Sequence, residues 1–156
     1  MRERLFSRDV AELEAFAHNG GGDIVHGVNL RDDSGEARKA NISEIVCAQA
    51  DIDFKTASKE QVDEALAISF FEPTFLVNSG NGYHAYWLLD APLPATEDNI
   101  ALIENINRGL AEQFSGDFTH DVTRVLRTPA GKILSMPTGR CAKFFALMAR
   151  VIPLKT

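Results

Sequence analysis

Residues 44–54 have the sequence EIVCAQADIDF, in which every second residue from Val46 to Phe54 is apolar. The intervening positions include Gln49, Asp51 and Asp53. Because side chains alternate between the two faces of a β-strand, this period of two predicts a strand with its apolar face toward the core. The two aspartates then lie on the opposite face, about 7 Å apart along the strand, where they can share a ligand.

A hairpin is predicted downstream of this strand. Residues 75–77 and 83–89 are rich in the apolar and aromatic residues that strands favour. Between them lies Asn78-Ser79-Gly80-Asn81-Gly82, and Asn-Gly is a strong signal for a tight turn. The hairpin places His84 near the start of its second strand.

Three helices are predicted from their capping residues and apolar spacing. They extend from Ser7 to the glycines after Asn19, from a capping box at Ser58 and Gln61 to the region of Pro73, and from Thr96 to Ser115. A short strand is expected at residues 23–29, before a polar turn at residues 31–36. For residues 121–156 the sequence predicts only short strands and turns, because prolines and glycines interrupt the apolar runs.

Composition indicates one ordinary globular domain spanning residues 1–156. The chain is 45% hydrophobic and 24% charged, and its formal net charge is −6. This charge argues against a protein that grips duplex DNA over a wide surface, which requires clustered lysine and arginine. A local positive edge is still compatible with the sequence, because acidic residues are absent after Asp121 whereas basic residues continue to Lys155.

Cysteine content and hydropathy predict a soluble, cytoplasmic protein without membrane contact. Cys47 and Cys141 are far apart and belong to no ligand cluster, so neither a disulfide framework nor a zinc site is indicated. No apolar run approaches the roughly 18 residues of a membrane span, and no signal-peptide core follows the first residues.

The motif with the clearest chemistry is Asp51-Ile52-Asp53. Two carboxylates side by side offer the hard oxygen ligands that Mg²⁺ and Mn²⁺ prefer. Paired divalent cations can activate an attacking hydroxyl and stabilise a leaving pyrophosphate. Taken alone, such a pair is more often a solvent-facing surface feature.

Two further groups of residues carry possible chemistry. In Ser79-Gly80-Asn81-Gly82-Tyr83-His84, the glycines allow close backbone approach by a triphosphate and the histidine follows at a fixed orientation. Simple closure of the hairpin is the alternative. Later in the chain, Asp117 or Asp121 could complete a metal site, and Arg124 and Arg127 could contact phosphates, although surface ion pairing explains these residues equally well.

The joint order of these motifs over residues 23–132 resembles the archaeo-eukaryotic primase superfamily, especially the primase-polymerase domains of plasmids, phages and integrated elements. The two-acid strand motif of that family is similar to ADIDFK at 50–55, and its histidine motif is similar to SGNGYHAYW at 79–87. The third acid best fits Asp121, with Asp117 as the rival. The family pattern after the arginines does not match residues 128–133, and residues 133–156 are poorly matched.

The resemblance implies an α+β protein with the archaeo-eukaryotic primase fold, a mixed αβ module packed with an RRM-like antiparallel sheet. It implies that Asp51, Asp53 and Asp121 bind catalytic Mg²⁺ or Mn²⁺. It also implies nucleotide contacts, from His84, Ser79, Asn81, Arg124 and Arg127.

Three hypotheses for function follow. The first is a DNA-dependent primase or polymerase that uses NTPs or dNTPs on a single-stranded DNA template, with a replicative helicase as a possible partner. The second is a non-catalytic remnant that binds single-stranded nucleic acid. The third is a metal-dependent nuclease built on the same carboxylates, distinguished by DNA cleavage without added nucleotide.

Overall fold

The computed structural model describes residues 10–19, 25–32, 34, 36 and 38–127. These residues form a mixed α+β structure with antiparallel sheets. Its elements in chain order are α1 (Val10–Asn19), β1 (Val25–Gly27), β2 (Leu30–Arg31), a short 3₁₀ helix (Lys39–Asn41), β3 (Ile42–Asp53), α2 (Lys59–Ile68), β4 (Phe75–Asn78), β5 (Gly82–Pro94), α3 (Glu97–Gln113) and β6 (Val125–Arg127). The predicted α+β class is confirmed.

Two sheets are present in the described part of the chain. The larger has the strand order β2-β3-β5-β4, and the smaller pairs β1 with β6. The long antiparallel pairing of β3 with β5 is the centre of the fold and sets Asp51 opposite His84 and Asp53 opposite Gly82. The strand and the hairpin predicted from the sequence are therefore confirmed, although β5 continues to Pro94.

The apolar face of β3 packs against two helices, as its alternation predicts. Ala48, Ala50 and Ile52 belong to a buried cluster with Val62 of α2 and Leu110 of α3. Burial of these side chains supplies the main favourable contribution to folding, at roughly 25 cal/mol per Å² of apolar surface. The helices thus cover the face of the sheet that lies away from the two aspartates.

The opposite face of β3 is less open than the alternation suggested. Cys47 and Gln49 are fully buried, and the Gln49 amide donates a hydrogen bond of 2.7 Å to the Thr119 carbonyl. A register shift between Ile45 and Cys47 also breaks the alternation, and Ile45 packs in a separate cluster with Ile103 of α3. Beyond this buried stretch, Asp51 and Asp53 at the end of the strand are partly exposed.

The free edge of β3 is held by groups that are not part of a strand. The side-chain oxygens of Asn29 and Asn107 accept hydrogen bonds from the backbone N–H groups of Val46 and Gln49, at 3.0 and 2.9 Å. The backbone N–H of Asp117 donates to the Asp51 carbonyl oxygen at 2.7 Å. Because buried backbone groups need partners, these contacts allow β3 to be central without a second full-length neighbour.

The N-terminal caps of α2 and α3 are the ones predicted from the sequence. Ser58 and Gln61 form the reciprocal capping box of α2, and the Thr96 hydroxyl accepts a hydrogen bond from the Asn99 N–H at the start of α3. The first helix is also present, but its expected cap at Ser7 lies outside the described residues. Within the described residues, no helix combines the length and apolar character that crossing a membrane requires.

Candidate functional site

A polar cavity lies beside the small sheet, where β3 ends and β5 begins. Its volume is about 310 Å³. Six of the eight site residues predicted from the sequence line it, namely Asp51, Asp53, Ser79, Asn81, His84 and Arg124. The other lining residues are Val25, Ile52, Lys55, Gly82, Asp117, Val125 and Leu126. The pairing of β3 with β5 accounts for this convergence, because it brings the two-acid motif and the histidine motif together.

Asp51 is held between two basic side chains. Its Oδ1 lies 3.5 Å from Nε2 of His84, and its Oδ2 accepts a hydrogen bond of 2.9 Å from the Arg124 guanidinium. The side chain of Asp51 is only 18% exposed, and that of His84 is buried. Bonds to charged partners at a partly buried site are stronger than those at a surface, so the carboxylate has a defined orientation.

Asp53 has a different environment at the last position of β3. Its Oδ2 lies 2.9 Å from Nζ of Lys55, and its Oδ1 accepts a hydrogen bond of 3.0 Å from the Lys55 backbone N–H. These hydrogen bonds lower the pKa of Asp53, and the same contact raises the pKa of Lys55. Asp53 is therefore ionised at neutral pH and remains accessible from the cavity.

The turn after β4 forms another wall of the cavity. The Ser79 backbone N–H donates to the Gly82 carbonyl at 2.9 Å, and the Phe54 N–H donates to the Asn81 carbonyl at 2.9 Å. Gly80 has a φ of +95°, a conformation that glycine adopts without strain. The hydrogen bond between Phe54 and Asn81 fixes the turn beside Asp53.

The structure separates the two candidates for the third acid. Asp117 lines the cavity and follows Gly116, the residue that packs against the Asp51 carbonyl. Asp121 is not among the lining residues; its carboxylate lies 3.2 Å from Lys39, which also pairs with Glu104, and it accepts a hydrogen bond from the Thr123 N–H. Although burial acts to raise it, these hydrogen bonds lower the pKa of Asp121. Arg127 ends β6, and its side chain lies outside the described part of the chain.

Sequence reasoning missed His26 on β1, which lies close to Tyr86 and to the site residue His84. Its ring centroid lies 6.0 Å from that of Tyr86, the neighbour of His84 on the same face of β5. Burial, together with the nearby charge of His84, lowers the pKa of His26 from 6.5 to about 4. Burial likewise raises the pKa of Tyr86 well above its usual value. A three-residue strand has no pattern from which this contact could be predicted.

The pKa of His26 predicts a pH dependence of stability. Between pH 6.5 and about 4 the unfolded chain binds a proton that the folded chain excludes, so stability is complete above pH 6.5 and falls as the pH is lowered through this window. We expect a loss of about 2–3 kcal/mol from this residue. Urea unfolding of the wild type and His26→Gln at pH 7 and pH 4.5 measures it. Equal losses in the two proteins between these pH values would contradict the prediction.

The donor chemistry of the cavity fits a divalent cation with oxygen ligands. Asp51, Asp53 and Asp117 are the carboxylates among the lining residues, and Mg²⁺ and Mn²⁺ favour such ligands. Among the residues that the structure describes, no three His, Cys, Asp or Glu side chains are already gathered around one metal position. Asp51 and Asp53 instead each have a basic partner, Arg124 and Lys55 respectively.

Comparison of the chain with protein-family models, curated proteins and solved structures found no match.

Proposed function

We propose that this chain is a primase-polymerase, a metal-dependent nucleotidyltransferase with the archaeo-eukaryotic primase fold. It synthesises primers or extends DNA on a single-stranded template in the replication of mobile elements, using NTPs or dNTPs. A separate replicative helicase is a plausible partner. The observation that carries the proposal is the register of β3 with β5, which brings Asp51, Asp53 and His84 to one cavity.

The carboxylates would hold the catalytic cations. Asp51, Asp53 and Asp117 are the residues that would bind Mg²⁺ or Mn²⁺. When bound, these ions supply activation of the attacking 3′-hydroxyl and charge stabilisation of the leaving pyrophosphate. Asp51 is oriented by His84 and Arg124, and a cation bound at its Oδ2 would have to displace the Arg124 guanidinium, which would then be free to contact a phosphate.

The other cavity residues would bind the incoming nucleotide. His84 contacts its phosphates from the buried floor, while Ser79 and Asn81 shape the turn beside them. Arg124, immediately before β6, presents a planar set of donors that suits phosphate oxygens, and Arg127 is the last residue of β6. These contacts hold the triphosphate in line with the primer end, which is how most of the rate enhancement of phosphoryl transfer arises.

Asp117 replaces Asp121 as the third acid in this proposal. The Asp117 backbone is bonded to β3, whereas Asp121 pairs with Lys39 away from the cavity-lining residues. We expect Asp117→Asn to reduce incorporation at least about 100-fold and Asp121→Asn to reduce it less than about threefold. A larger loss in Asp121→Asn than in Asp117→Asn would restore the original assignment.

The test of the function is incorporation of labelled NTPs and dNTPs on single-stranded DNA, with and without a primer, in Mg²⁺ and in Mn²⁺. Metal-dependent products support the proposal. Binding of single-stranded DNA without products would favour the second candidate, a non-catalytic nucleic-acid-binding remnant. The pairing of both aspartates with basic side chains favours that candidate, because it neutralises the carboxylates. Cleavage of DNA without added nucleotide would indicate a nuclease.

A further inference from the structure

Lys55 is a basic cavity residue to which the two-acid motif assigns no role. It lies two residues beyond Asp53, where β3 has ended, and its side chain is 82% exposed. Its ammonium contacts the Asp53 carboxylate at 2.9 Å, and the residue lines the cavity. Its side chain therefore extends from the rim of the cavity toward the acids.

The ion pair between Lys55 and Asp53 is exposed and can exchange partners readily. An exposed lysine paired with a carboxylate gains little, because water screens the charges and the long side chain loses rotamer freedom. The backbone N–H of Lys55 makes a separate hydrogen bond to Asp53, so the turn does not depend on the ammonium. The side chain can leave Asp53 without disturbing the end of β3.

The surroundings of Lys55 favour a phosphate group as its other partner. The hydrogen bond from Phe54 to Asn81 places the Lys55 segment next to the turn of residues 79–82. Arg124, the residue before β6, lines the same cavity. Two cations that line one cavity can contact different phosphates of one triphosphate, and an ammonium with three donors suits a terminal phosphate.

We propose that Lys55 exchanges Asp53 for a phosphate of the bound nucleoside triphosphate, so that it acts as a triphosphate-binding residue and not as a structural partner of Asp53. This inference deepens the proposed function and rests on it for the identity of the ligand. The proposal predicts that removing the Lys55 ammonium has opposite effects on the affinity for metal and on the affinity for triphosphate. Removing the ammonium deprives the triphosphate of a contact, but it also frees Asp53 from a competing cation.

The test is calorimetric titration of the full chain with two probes, inorganic triphosphate in excess Mg²⁺ and Mn²⁺ alone. We expect Lys55→Ala to weaken triphosphate binding about tenfold, the effect of losing one hydrogen bond to a charged group. Affinity for Mn²⁺ should be unchanged or rise. Lys55→Arg should retain most of the triphosphate affinity, because it keeps the positive charge.

Lys59→Ala is the matched control, because Lys59 also pairs with an aspartate, Asp63, but lies outside the cavity. It should change neither affinity. The inference is overturned if the wild-type chain does not bind triphosphate, if Lys55→Ala binds it as tightly as wild type, or if Lys55→Ala loses affinity for triphosphate and Mn²⁺ together. The last result would mean that Lys55 acts only by shaping Asp53.

Failure of this inference can be distinguished from failure of the proposed function. If the chain binds triphosphate through Lys55 but incorporates no nucleotide, the proposed polymerase activity is refuted and the proposed contact between Lys55 and phosphate is supported. Incorporation by the wild type with unchanged binding in Lys55→Ala would overturn the phosphate contact alone.

Discussion

Replacing Asp51 and Asp53 together by asparagine is expected to reduce nucleotide incorporation at least about 1000-fold, because divalent-metal catalysis supplies several kcal/mol of transition-state stabilisation. Asparagine keeps the size of each side chain and one oxygen acceptor but removes the negative charge that a cation requires. The incorporation assay on single-stranded DNA, with added Mg²⁺ or Mn²⁺, measures the effect.

The double variant should remain folded. Both side chains lie off the apolar face of β3, whose cluster of Ala48, Ala50 and Ile52 is untouched. Asp90→Asn, an exposed position on β5 outside the cavity, is the control and should incorporate nucleotide at the wild-type rate. Near-normal synthesis by a folded double variant would refute the catalytic assignment of these two residues.

Gly82→Ala is expected to destabilise the protein by about 3 kcal/mol or more, the upper range for overpacking a tight site. A Cβ at this position would lie 1.9 Å from the Ile52 carbonyl oxygen and 3.0 Å from the Asp53 Cα. Those atoms belong to the central strand, so the clash can be relieved only by moving β3 from β5. Urea denaturation followed by circular dichroism measures the loss.

Gly109→Ala provides a control with the opposite sign. Gly109 lies within α3, and a Cβ there meets nothing within 4 Å. Alanine should therefore stabilise the helix by about 0.5–1 kcal/mol. Equal stabilities of the Gly82→Ala and Gly109→Ala proteins would show that the close approach of β3 and β5 at Gly82 is not a constraint on the fold.

Local patterns in the sequence were sufficient to predict most of the helices and strands. Alternation identified β3, Asn81-Gly82 identified the hairpin, and Ser58 with Gln61 identified the start of α2. Each of these signals comes from residues that are close together in the chain. Local conformational propensity and local hydrogen bonds are therefore enough to determine these elements. The pairing of β3 with β5, which sets Asp51 opposite His84, was not among these predictions and is seen only in the structure.

The remaining features depend on contacts between distant residues. The different positions of Asp117 and Asp121 depend on how the turn after α3 meets β3, where the Asp117 N–H donates to the Asp51 carbonyl. His26 reaches Tyr86 only because β1 pairs with β6, which is a hundred residues later in the chain. The burial of Cys47 and Gln49 likewise results from segments that pack onto the second face of the sheet.

The side chains of Asn29 and Asn107 on the edge of β3 have a consequence for self-association. An unpaired strand edge is a template on which another chain can add a strand, and proteins usually block it with charges, bulges or a covering segment. Here two amide oxygens and the Asp117 N–H occupy hydrogen-bonding positions along that edge. Within the described residues, the outer strands of the larger sheet are β2 and β4, whose two and four residues offer only short templates for intermolecular growth.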